Sequence, residues 1–198
     1  MIDKNEVIAF FDRRAPMWDA EMVRKEDLIR TILDNGGVRP GADVLDVACG
    51  TGVLFPDYLA RGANRIVGID ISPNMARIAA GKYPPERVRV ICGDAEEASF
   101  PQPFDVVMVY NAFPHFPDPE KLIAALAAAT KPGGRLSVAH SMSRERLDRH
   151  HSGAACAVSN GLMSEDMLAA IFAPWFDVDV KISDERMYQV SGVRKTGS

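Results

Sequence analysis

The spacing of apolar residues changes along this chain, and the changes mark out its elements. Val7, Phe10 and Phe11 recur at helical spacing, as do Ile29, Ile32 and Leu33. Pro16 is expected to separate these two helical stretches. Asn35-Gly36-Gly37 closes the second, with Pro40-Gly41 as a further turn. A strand–helix rhythm follows. Short apolar runs at 44–47, 66–69, 88–91, 104–109 and 136–139 predict five strands. A helix over 53–61 fits between the first two. Ser72-Pro73 opens another, with Ser as N-cap and Pro at the first helical position; Met75, Ile78 and Ala79 form its buried face. Leu122, Leu126 and Ala129 mark a helix that ends before Pro132-Gly133-Gly134. Strands that are apolar throughout and alternate with helices imply a parallel sheet covered on both faces.

The last third changes character. Residues 144–151 are charged and helical in pattern. A helix over 164–172 turns Leu168, Ile171 and Phe172 inward, and Pro174 follows it. Residues 176–182 and 187–193 alternate as two strands around a turn at Ser183-Asp184-Glu185. No repeat or linker interrupts the pattern, so a single domain over 1–198 is expected.

Composition narrows the partners. With 47% hydrophobic and 25% charged residues, the chain can fill a core. A net charge of -4 provides no general basic surface for nucleic acid. Cys49, Cys92 and Cys156 form no CxxC pair, which argues against a disulfide framework or structural zinc and for a reducing, cytoplasmic compartment. The start, Met1-Ile2-Asp3-Lys4-Asn5-Glu6, lacks the basic and apolar regions of a signal peptide. No apolar stretch nears the ~20 residues that span a bilayer.

The candidate chemistry begins at Asp46-Val47-Ala48-Cys49-Gly50-Thr51-Gly52, at the carboxyl end of a strand and just before a helix. Ligands of open α/β sheets bind at that edge, and glycines let them approach the backbone. A dinucleotide would need a third glycine three residues after Gly52, where Phe55 stands. An acidic residue roughly 20 positions on should hold a ribose, and Asp70 is there for either ligand class. Asp46 separates the classes: its carboxylate would repel a pyrophosphate and attract an amino acid's ammonium. Gly93-Asp94-Ala95-Glu96 ends the third strand at the same edge, where Asp94 can accept from an adenine amino group.

Together these segments resemble class I S-adenosylmethionine (SAM)-dependent methyltransferases, closest to the small-molecule branch that includes the ubiquinone/menaquinone C-methyltransferases. The resemblance runs from about Phe11 to Ser141. It is carried by Val44 to Gly52, Gly68-Ile69-Asp70-Ile71-Ser72 with Met75, Gly93 to Glu96, Phe104-Asp105-Val106-Val107, and Lys131-Pro132-Gly133-Gly134-Arg135-Leu136. It implies a Rossmann-like, seven-stranded, mostly parallel sheet with helices on both faces and a C-terminal antiparallel hairpin. It also implies SAM as cofactor, with S-adenosylhomocysteine (SAH) as product. Asp46, Ala48, Cys49, Gly50, Thr51 and Gly52 would lie along the methionine part. Asp70 would hold the ribose, Ile71 and Met75 would flank the adenine, and Asp94, Ala95 and Glu96 would meet its edge. Asn111 and Ala112 would lie beside the donor methyl. Phe11 and Trp18 belong to an N-terminal segment, residues 1–34, that resembles the branch's lid.

The acceptor side is less determined. Asn111-Ala112-Phe113-Pro114 departs from the Asn/Asp-Pro-Pro-aromatic motif of adenine-N6 and glutamine methyltransferases. No Pro-Cys dipeptide serves a cytosine-C5 mechanism. His115, His140 and His151 are the candidates to deprotonate or bind an acceptor, or to hold a metal in twos or threes. Trp18, Phe113, His115, His140, Arg144, His150 and His151 are the candidate acceptor contacts, within or near an acceptor-side segment 141–163. Core packing and solvated helix faces are the competing readings for these residues. The expected partner is a small-molecule acceptor, and a homodimer is an open arrangement. The competing functions are a non-catalytic SAM- or SAH-binding protein and an NAD-dependent oxidoreductase.

Overall fold

A computed structural model describes residues 2–151 and 158–197, with the side chains of 148–151 outside that description. Two helices, α1 (Lys4–Glu21) and α2 (Glu26–Asn35), precede the alternating unit. That unit comprises β1 (Asp43–Val47), α3 (Phe55–Ala60), β2 (Arg65–Asp70), α4 (Pro73–Ala80), β3 (Val88–Cys92) and β4 (Phe104–Tyr110). A 3-10 turn at Phe113–His115 leads to α5 (Pro119–Ala129), β5 (Thr130–His140) and α6 (Arg144–His151). The chain closes with α7 (Glu165–Phe172), β6 (Phe176–Ser183) and β7 (Tyr188–Arg194).

The strands form one seven-stranded sheet in the order β3-β2-β1-β4-β5-β7-β6. β1 pairs in parallel with β2 and β4, and β7 runs antiparallel to both β5 and β6. The expected Rossmann-like sheet and C-terminal hairpin are thus present. Side chains alternate across a strand, and here both faces are apolar. Leu45, Val47, Val107 and Val109 pack with α5 and α7 in one cluster. Val44, Val106 and Met108 pack with α2 and α3 in the other. Asp46 falls on the second face, which places a carboxylate among apolar neighbours.

Two boundaries differ from the sequence expectation. Pro16 does not separate two helices, because α1 runs through it to Glu21. A proline inside a helix leaves the carbonyl four residues back without its N–H donor. That carbonyl belongs to Asp12, and Asn74 Nδ2–H donates to it at 3.3 Å. β5 also begins earlier than expected. Thr130 pairs with Phe104 and Arg135 with Val106, so Pro132-Gly133-Gly134 is a bulge within the strand. Gly133 supports it with φ +77°.

The first two helices occupy different places. α2 buries Leu28, Ile29, Ile32 and Leu33, each worth roughly 1.5–3 kcal/mol when fully buried. α1 buries only Val7 and Ala15. Its hold on the body must therefore come from elsewhere, and it comes from polar contacts over the sheet's carboxyl edge. No helix among the described residues is long and apolar enough to cross a membrane.

Candidate active site

The carboxyl ends of β1, β2, β3 and β4 converge on one edge. Beyond β1 the chain turns through Ala48 (φ +52°), Gly50 (φ +56°) and Gly52 (φ +83°). Ala48 and Asn111 are the described non-glycine residues with positive φ, and both border the same cavity. Such conformations cost free energy and gather at functional sites. A Cβ on Gly52 would stand 2.5 Å from the Phe55 ring, and one on Gly68 would stand 2.7 Å from it. Phe55, fully buried, thus fills the space that a third glycine would leave open.

Asp70 ends β2 and organises the turn. Its carboxylate accepts from Gly50 N–H at 2.8 Å and from Ser72 N–H at 2.9 Å. Ser72 caps α4 as expected, accepting from Met75 N–H at 3.2 Å. Asp46 is 3% exposed and Asp70 7%. Burial pushes the Asp46 carboxyl up to about 8; the charges of Asp70 and Asp57 add to this and the Tyr58 hydroxyl opposes it. Burial also raises Asp70, against the pull of its two backbone N–H donors.

Two adjoining cavities open at this edge. The first is lined by Phe11, Trp18, Ala48, Gly50, Asp70, Ile71, Met75, Asp94, Ala95, Asn111, Ala112 and His115, among others. The second shares Trp18, Ala48, Gly50, Asn111 and Ala112, and adds Asp46, Cys49, Arg24 and Tyr110. Most of the expected cofactor residues therefore meet. Thr51, Gly52 and Glu96 line neither cavity. The Thr51 hydroxyl donates to Asp19 at 2.5 Å, and Glu96 takes Lys4 at 2.5 Å.

α1 covers this edge through a row of polar clasps. Lys4 also reaches Asp94 at 2.5 Å. Asp12 accepts from Asn74 N–H at 3.0 Å and from the Ser72 hydroxyl. Asp19 pairs with Lys82 at 2.7 Å. Just past the helix, Arg24 pairs with Asp57 at 2.9 Å and Glu26 at 2.7 Å.

The acceptor candidates separate. His115 lines the first cavity, stands edge-on to Phe11 at 5.0 Å, and places Nδ1 2.7 Å from the Val158 carbonyl. His140 is 1% exposed against Tyr188 and lines neither cavity. Phe113 lies in the core. Arg144 opens α6 away from both cavities. The His150 and His151 side chains lie outside the described residues. No cluster of three or more His, Cys, Asp or Glu suited to a metal occurs among the described residues.

A family model described as a methyltransferase domain matches residues 44–134, the stretch that builds this edge. The demethylmenaquinone methyltransferase of Renibacterium salmoninarum is 34% identical over 141 residues, covering 68% of this chain and 58% of the relative. The chain belongs to the class I SAM-dependent methyltransferases. The ribosomal protein L11 methyltransferase of Cupriavidus metallidurans is 34% identical over 164 residues, covering 79% of this chain and 44% of the relative. The chain thus spans between two fifths and three fifths of the length of these relatives. The solved DhpI–SAH complex shares the fold, with a TM-score of 0.75, 18% identity and 97% coverage of both chains.

The sequence pattern did not single out Lys4, Asp12, Asp19, Arg24 or Tyr110. A signal existed for the first three. At helical spacing Lys4 falls within the stripe of Val7, Phe11, Ala15 and Trp18, and Asp12 and Asp19 border it beside Ala15, so charges line the apolar stripe of α1. Arg24 and Tyr110 had no such signal, since each becomes part of the site only through tertiary packing.

Proposed function

We propose that this chain transfers the methyl group of SAM to a small-molecule acceptor and releases SAH. One observation carries the reading: Asp46 and Asp70 lie nearly buried on either side of the glycine turn, and no ion pair among the described residues reaches either. Such a pair suits a ligand with a cation at one end and a ribose at the other. On this reading Asp70 holds the ribose, while Ile71 and Met75 flank the adenine and Asp94 and Ala95 meet its edge. Asp46 faces the ammonium, and Ala48, Gly50, Asn111 and Ala112 line the path between. Cys49 packs behind the turn, while Thr51 and Glu96 serve by anchoring α1. Phe11 and Trp18 close the site from above.

SAM supplies an already activated methyl group on its sulfonium. The chain's residues hold the acceptor in line and exclude water, and a base is needed where the acceptor retains a proton. His115 is the described histidine placed to be that base. A small acceptor is favoured because α1 roofs both cavities.

Calorimetry with SAM, SAH and NAD tests the donor. SAM and SAH should bind and NAD should not; binding of NAD alone would overturn the reading. A methyl-transfer screen over phenols, quinols, thiols and amines tests the chemistry. Ribosomal protein L11 belongs in that screen because one relative is named for it. Tight SAM binding with no transfer to any acceptor would favour a non-catalytic SAM-binding role.

A further inference from the structure

β4 and β5 pair in parallel as far as Tyr110 and Ala139. One residue further, Asn111 still gives its N–H to the Ala139 carbonyl at 2.8 Å. Its φ of +55° then turns the backbone out of the strand. Asparagine visits that conformation more readily than most residues, though at a cost. Its side chain continues the pairing that the backbones abandon. Oδ1 accepts from Ser141 N–H at 2.8 Å, and Nδ2–H donates to Ser141 Oγ at 3.1 Å. A donor and an acceptor of the amide thus meet a single residue, which fixes its plane. Ser141 is held in turn, because its carbonyl accepts from Lys25 Nζ at 2.6 Å. Lys25 ends the hinge between α1 and α2, and hinge residues Met22, Val23 and Arg24 line the second cavity. Arg24 grips α3 through Asp57, while Lys25 beside it grips the end of β5. Asn111 lines both cavities.

We propose that Ser141 and Lys25 are positioning residues for methyl transfer, fixing the Asn111 backbone between the two cavities and mooring the hinge beside it. The inference rests on the methyl-transfer reading above, in which Asn111 lines the path of the donor. Ser141 and Lys25 line neither cavity, so each acts through Asn111 or the hinge. The donor methyl must stand in line with the acceptor, and a misplacement of about 1 Å can cost roughly a hundredfold in rate. Donor binding rests on Asp46 and Asp70 and needs no such precision at Asn111. Loosening the clamp should therefore reach the methyl group and turnover while sparing affinity.

SAM with a ¹³C-labelled methyl group, bound to the whole chain, tests this by nuclear magnetic resonance without an acceptor. Ser141→Ala keeps the N–H bond to Asn111 and deletes the hydroxyl. It should shift the bound methyl signal while SAM affinity stays unchanged, and Lys25→Met should shift that signal too. Ser137→Ala is the control. That serine is buried in the same strand, and its hydroxyl accepts from Gln189 at 2.9 Å; its loss should lower the thermal midpoint and leave the methyl signal in place. With an acceptor from the screen above, Ser141→Ala should lower kcat about tenfold, the scale of one lost hydrogen bond, with KM for SAM unchanged. A methyl signal that ignores Ser141→Ala or Lys25→Met, or that moves as far with Ser137→Ala, would overturn the proposal. So would a loss of SAM affinity in Ser141→Ala. If Ser141→Ala does not fold, Lys25→Met decides alone. Failure of the unaltered chain to bind SAM would instead sink the donor reading, a result separate from the methyl shift.

Discussion

The proposed donor side and the proposed acceptor side of this edge are built differently. The donor side is made by short loops at successive strand ends: Asp70 bonds to Gly50 across 20 positions and to Ser72 across two. The acceptor side is made at a distance: His115 meets Val158 across 43 positions, and Lys25 reaches the Ser141 carbonyl across 116. Loops at strand ends hold a ligand common to a whole family. Long-range ties can be rewired without disturbing that ligand, which leaves the acceptor free to differ between relatives.

Substitutions that cross this division would break the comparison. The largest effect is expected at His115. His115→Gln should lower turnover of a protic acceptor by about 10²–10⁴-fold, with SAM affinity unchanged in calorimetry. A parallel loss of SAM affinity would merge the two sides. On the donor side, Asp70→Ala should weaken SAM binding by roughly a hundredfold, since charged hydrogen bonds are lost. The same variant should lower turnover at saturating SAM far less.

Asp46 sharpens the comparison through pH. Its carboxyl titrates near 8 in the folded chain, against about 4 when unfolded. Between those values the folded chain holds a proton that the unfolded chain has lost. Stability should therefore fall as pH climbs from about 4 towards 8. SAM affinity should rise over the same approach to pH 8, by up to about tenfold per unit, because the ammonium needs the ionised carboxylate. Thermal melts and calorimetry across pH check the opposite slopes, and Asp46→Asn should flatten both. The smallest effect is expected at Lys4, whose side chain is a third exposed. Lys4→Ala should cost less than about 1 kcal/mol in SAM binding. Hydrogen exchange in α1 should register the loss more clearly than affinity does.

The same division governs what could be seen in the sequence. The sheet, the Ser72 cap and the convergence of Gly50, Asp70 and Asp94 rest on local patterns, and each was legible as residues at strand ends. Phe55 was legible as a departure from the dinucleotide pattern, and the structure adds that its ring occupies the missing glycine's space. The fate of Pro16 was not legible, because its compensation comes from Asn74 on another helix. His115 and His140 looked alike as histidines just past strand ends. Val158 and Tyr188 distinguish them, and neither neighbour follows from spacing.

Pro16 has one more consequence. α1 is anchored at Lys4 near one end and at Asp19 near the other, and the proline lies between. A helix that borrows a hydrogen-bond donor from its dock has full order only while docked. The weakest point of the roof over the cavities is therefore completed by a residue of α4. Lifting the helix would expose the Asp12 carbonyl to water and undo the Lys4 and Asp19 clasps together, so the roof's local fold and its docking are one event.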